Sequence, residues 1–191
     1  MNKTLLTLSL LSLSNLLYSQ ENIFINLIFK DKDKLELTQT VDSDTHSNFF
    51  LLSKTAKWQQ NRFVSKPDAN EFDEMNIFAD TTMRNLFSAN EEQHFLEQAI
   101  LFKEMAIKNV YKGVRVIDTV NKSISGYIIQ VTSPVYARDS AYAIVDASLY
   151  LPIERDKTLK DSQIAQILFV FKRIKKDRWE IFTRRTKLLI W

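Results

Sequence analysis

Residues 141–151 read AYAIVDASLYL, and residues 163–172 read QIAQILFVFK. The first run alternates. Ala141, Ala143, Val145, Ala147, Leu149 and Leu151 fall on one face of a strand, and Tyr142, Ile144, Asp146, Ser148 and Tyr150 on the other. The second run is apolar on both faces, as expected of a strand in the middle of a sheet. A turn at Lys175-Lys176-Asp177 leads into a further strand from Trp179 to Ile190. Upstream, residues 114–117 (VRVI) and 127–132 (YIIQVT) also read as strands, the latter closed by Ser133-Pro134. Several consecutive antiparallel strands after a helical first half predict an α+β fold, with helices in the N-terminal half packed on a C-terminal antiparallel β-meander.

The clearest helix begins at Ser88. Ser88-Ala89-Asn90-Glu91 has the spacing of a capping box, with Leu86 and Phe87 placed to staple the entry. Phe95, Leu96, Ala99, Ile100 and Phe102 follow at helical spacing, which predicts a helix to about Ile107, with Gly113 as a later breaker. Residues 22–29 (NIFINLIF) are apolar, and their period leaves helix and strand both open. Leu35 to Thr38 alternates as a short strand does. Residues 41–61 are mixed, anchored by Phe49, Phe50, Leu51, Leu52 and Trp58. Ser65 to Asp80 carries Pro67 and no sustained period, so it reads as an irregular surface segment anchored by Phe72, Ile77 and Phe78.

The chain has 191 residues, 45% of them hydrophobic and 26% charged, which suits one folded domain. The absence of cysteine excludes disulfides, thiolate metal sites and cysteine nucleophiles. Two glycines argue against a phosphate-cradling loop. At the N-terminus, Lys3 precedes an uncharged leucine-rich run from Leu5 to Leu17 and a small residue, Ser19. That is the pattern of a secretory signal, residues 1–19, with Gln20 opening a single mature domain over residues 20–191. The run is short of the ~20 residues of a membrane span. No comparable run follows, so no transmembrane span is expected after removal of the signal. The protein is expected to be exported, to a periplasm or the extracellular medium. Loss of Lys3 lowers the formal charge of +3 by one, so the basic pI is poor support for nucleic-acid binding.

Three groups of residues bear on chemistry. Asp146 lies mid-strand between Tyr142 and Tyr150 on one face. In an enclosed pocket it would serve as a general base with a tyrosine beside it; otherwise it is a solvated or satisfied carboxylate. From Lys172 to Lys187 there are eight basic residues against Asp177 and Glu180. Lys175, Lys176, Arg178 and Arg184 are the candidate contacts to an anionic polymer, lipid headgroup or acidic partner; the alternative is a solvated hairpin whose cations protect its edge. Tyr136, Tyr142, Tyr150, Trp179 and Trp191 would line a sugar- or lipid-binding face, or simply fill the core. His46 and His94 stand apart, and Glu91, Glu92 and His94 read as first-turn residues of the helix, so no metal site and no cofactor are expected. Ser133 reads as a turn residue, since no Gly-x-Ser-x-Gly elbow exists.

The stretch from Thr132 (TSPVYARDSAYAIV) through FVFKRIKKDRWEI to Trp191 resembles a group of uncharacterised exported proteins of Bacteroidetes. The matching positions are Ser133, Pro134, Val135, Tyr136, Asp139, Ala143, Lys172, Trp179 and Trp191, and Ser19-Gln20 suits a signal ending of that phylum. The resemblance departs over residues 152–161 (PIERDKTLKD), where relatives carry Cys and Gly. The helix-then-meander order is also similar to nuclear-transport-factor-like cone folds, which host enzymes and binding modules alike. The resulting expectation is an exported soluble module that binds a small ligand or a protein without turning it over. The alternative is a cone-fold enzyme, isomerase- or hydrolase-like, using Asp146 with Tyr142 or Tyr150. Weaker than either is electrostatic binding through the C-terminal hairpin, with nucleic acid disfavoured by export.

Overall fold

The computed structural model describes residues 23–30, 48–63, 75–102, 104, 106–107, 114–121, 124–151 and 158–189. Seven strands form one sheet: β1 (Phe49–Leu52), β2 (Val114–Ile117), β3 (Tyr127–Val131), β4 (Val135–Tyr136), β5 (Tyr142–Tyr150), β6 (Gln163–Lys175) and β7 (Arg178–Leu188). Among the described residues three α-helices accompany them: α1 (residues 23–30), α2 (Thr81–Leu86) and α3 (Ala89–Leu101). The strand order is β2-β1-β3-β5-β6-β7, with β4 paired to β5. The α+β architecture is as the sequence predicts, helices packed on a predominantly antiparallel C-terminal sheet. The three long strands β5, β6 and β7 fall within three residues of where the sequence places them.

The far end of the sheet departs from a pure meander. β1 lies between β2 and β3 and runs parallel to both, Phe49 standing opposite Val114 on one side and Tyr127 on the other. Gly126 makes this approach feasible. A Cβ there would lie 2.4 Å from the Asn48 carbonyl oxygen, which instead accepts a 3.0 Å hydrogen bond from the Tyr127 N–H.

Both faces of the sheet are covered. In α1, Phe24, Ile25, Ile28 and Phe29 are buried, a spacing that makes one stripe of a helix and resolves the ambiguity of residues 22–29. They pack on Ala143, Val145, Ala147 and Leu149 of β5 and on Phe169 and Phe171 of β6. The opposite face, with Ile144, Leu168 and Val170, is covered by Trp58, Phe63, Met75, Phe78, Met83, Phe87 and Phe95. Two-sided cover is why β6 is apolar at successive positions. It also corrects the cone expectation: the sheet is open and uncurled, and helices lie on both sides of it.

α3 starts at the expected place, but Ser88 makes no side-chain cap; Glu91 accepts a hydrogen bond from the Arg138 N–H instead. The helix also stops at Leu101, short of Ile107. Residues 106 and 107 instead pair with β1's continuation: Ile107 donates to the Ser53 carbonyl, and Ala106 bridges Lys54. Ile100, expected on the apolar face, is 60% exposed. The signal segment, Leu35 to Thr38, His46, Phe72, Gly113 and Trp191 lie outside the described residues. No helix among the described residues is long and apolar enough to cross a membrane.

Candidate functional site

Asp146 is placed by β5, and its strand position is as the alternation requires. Arg62, on the 3₁₀ turn Gln60–Arg62, reaches across the same face and donates from Nε to Asp146 Oδ2 at 3.0 Å. The Arg62 Nη2 donates to Gln166 Oε1 of β6 at 2.7 Å. Arg62 is 1% exposed and Asp146 7%. A buried guanidinium needs a charged partner, and this carboxylate supplies it. The strand backbone closes the neighbourhood: Asp146 N–H donates to Thr132 Oγ1, and Thr132 N–H returns a bond to the Asp146 carbonyl. Ser133, read as a turn residue, accepts through its carbonyl from the Trp58 indole N–H at 2.8 Å.

The two tyrosines proposed beside Asp146 each lie four residues from it along an extended strand, about 13 Å from Cα to Cα, in opposite directions, and the Asp146 charge still reaches the Tyr150 phenol. Tyr142 packs edge-on against Phe87 and Phe182. Tyr150 packs with Leu52, Ile124 and Ile128. Burial pushes its phenol above the ordinary tyrosine value, opposed by a hydrogen bond with Ser148. Among the described residues, then, Asp146 is engaged in an ion pair with Arg62.

The basic candidates separate into two places. Lys175, Lys176 and Arg178 are exposed at the β6–β7 hairpin, where Asp177 takes a left-handed backbone (φ 62°). Arg184 lies mid-strand opposite Phe169. Of the aromatic candidates, Trp179 is buried, stacked under the Arg173 guanidinium at 4.8 Å and beside Tyr136 and Phe24. Those rings belong to the core.

Arg184 and its neighbour do line a concave feature the sequence did not reveal. A cleft of about 320 Å³ opens between α2 and β7. Leu168 and Val170 form its floor, Met83 one wall, and Phe182 and Thr183 the other, with Thr82 and Arg184 also contributing. At one end Arg185 Nη2 holds Asp80 Oδ2 at 2.7 Å, while its Nη1 donates to the Asn76 carbonyl at 3.0 Å. That guanidinium, with the backbone of α2, keeps the Asp80 carboxyl below its ordinary value. Asp80 also caps α2, accepting from the Met83 N–H at 3.1 Å. The cleft therefore combines an apolar floor with hydroxyl and cationic groups at its rim. Sequence offered one signal for it, an aspartate three residues before Met83, in a stretch read as irregular. Among the described residues no three His, Asp or Glu side chains gather as metal ligands.

The chain matches no family model, no curated protein and no solved structure. The open sheet overturns the resemblance to the cone folds, and no comparison supports the resemblance to exported Bacteroidetes proteins.

Proposed function

We propose that this protein is an exported, non-enzymatic binding module that takes the apolar part of an anionic ligand into the α2–β7 cleft. The observation that carries the reading is the composition of that cleft: a floor of Leu168 and Val170, an exposed Phe182, Arg184 in the lining, and the Asp80–Arg185 ion pair at one end. Apolar pockets with a few placed polar groups are the usual form of a small-ligand site. Lys3 and the Leu5–Leu17 run support export. The engagement of Asp146 by Arg62 favours binding over the pocket-base alternative.

Decanoate, a carboxylate with an apolar tail, is a suitable probe. Titrated into ¹⁵N-labelled protein, it is expected to shift the amides of Thr82, Met83, Phe182 and Thr183. Phe182→Ala, at an exposed position, is expected to keep the fold and weaken binding by about tenfold, roughly 1.4 kcal/mol. Shifts confined to other regions, or none at millimolar probe, would remove the reading.

A further inference from the structure

We propose that the tip of the β6–β7 hairpin is a membrane-surface contact: Lys175, Lys176 and Arg178 meet the phosphates of an anionic bilayer while Ile174 seats among its headgroups. The inference is independent of the α2–β7 cleft.

Three observations carry it. The tip overhangs the sheet. β5 begins at Tyr142, opposite Lys172, and its last contact with β6 at this end is the bond from the Arg173 N–H to the Ala141 carbonyl. The base of the hairpin is firmly rooted, since Trp179 is buried with the Arg173 guanidinium 4.8 Å from its ring. The cations of the tip are also available. Lys175, Lys176 and Arg178 are exposed, and among the described residues no ion pair engages them. Asp177 between them is the turn residue with the left-handed backbone, and Glu180 stands further back, opposite Lys172. Finally, the register between β6 and β7 shifts between Arg173 and Lys175, which makes Ile174 the extra residue of a bulge. Bulges re-aim side chains, and Ile174 is 41% exposed beside the cations.

The isoleucine selects the occupant. Cations alone would suit any polyanion. Single-stranded nucleic acid is gripped by aromatic rings on which its bases stack, and residues 174–178 carry no ring. An aliphatic side chain flanked by lysines matches the headgroup boundary of a bilayer, where apolar groups enter and cations stay at the anionic surface.

The test uses the full chain and vesicles of phosphatidylglycerol and phosphatidylcholine in equal parts, with pure phosphatidylcholine as the neutral surface. The protein is expected to sediment with the anionic vesicles at millimolar lipid and to leave them as salt is raised. Lys175→Ala/Lys176→Ala is expected to weaken that partition by about thirtyfold, since each cation near an anionic surface contributes separately. The apolar N-terminal run is the same in every variant, so differences among variants read the hairpin. The chain has no cysteine, so Ile174→Cys takes a single environment-sensitive fluorophore at the tip. Its emission is expected to move to shorter wavelength on the anionic vesicles only. No partition onto anionic vesicles, equal partition of the parent and the double-alanine variant, or bound protein whose label emits as in water would each overturn the proposal. Binding to soluble heparin that the two alanines abolish, without partition onto vesicles, would overturn it too and assign the tip to a polyanion in solution.

Discussion

Arg62 shows how much of this molecule is decided by single contacts. Its guanidinium lies in the layer of Trp58, Phe63 and Phe95, where an unpaired charge would cost several kcal/mol. The Asp146 carboxylate and the Gln166 amide oxygen make the position tenable. Arg62→Met is therefore expected to destabilise the fold by about 3–5 kcal/mol, since it leaves the Asp146 charge buried. The double variant Arg62→Met/Asp146→Leu is expected to recover most of that loss. Urea unfolding of the three proteins measures both. Sequence alone identified Asp146 as a carboxylate on a strand face with apolar neighbours, and that much is correct. It could not identify the partner. Arg62 is 84 residues away, in a stretch without period, so nothing local marks it as buried.

At the scale of elements, local pattern succeeded where an element is long. The alternation of β5, the continuous apolar run of β6 and the turn before β7 are enough to place the three strands to within three residues. β1 is four residues, FFLL, too short to show a period, and becomes a strand only through its two parallel neighbours. α3 shows tertiary pairing overriding helical spacing: the sequence to Ile107 suits a helix, but residues 106 and 107 bond to 53 and 54. The cleft was illegible for the same reason as β1. α2 has six residues, and its cap is the sole local signal. Asp80 also makes this element sensitive to acid. Its folded pKa is lowered, first by the Arg185 hydrogen bond. The stabilisation is therefore complete above the unfolded value of about 3.9 and is lost as pH falls through the folded value. Asp80→Asn can keep the cap and loses the ion pair. It is expected to be less stable than the parent at neutral pH, with the two urea midpoints converging as pH falls below the unfolded carboxylate value of about 3.9.

At the scale of the whole molecule, the sheet is the middle layer of three. The continuous apolar run of β6 said that both its faces are buried. The second covering element stayed hidden because residues 22–29 read equally well as helix or strand. Two-sided cover makes a direct prediction. Phe24 of α1 and Phe95 of α3 are both essentially inaccessible, on opposite sides of the sheet. Phe24→Ala and Phe95→Ala are each expected to cost about 3–5 kcal/mol in thermal or urea unfolding. A minor effect at Phe24 would mean that α1 adds little to the core.

The position of β1 has a consequence for the nascent chain. Phe49–Leu52 is synthesised first, yet its two partners begin only at Val114 and Tyr127. Until both have left the ribosome, an apolar strand waits with neither edge paired, while β5, β6 and β7 can close on one another as soon as each hairpin is made. The interval between emergence of Leu52 and emergence of Val131 from the ribosome is thus when mispairing and capture by a holding chaperone concentrate. A translational pause inside that interval would lengthen the exposure, whereas the same pause once Val131 has emerged would leave β1 already enclosed.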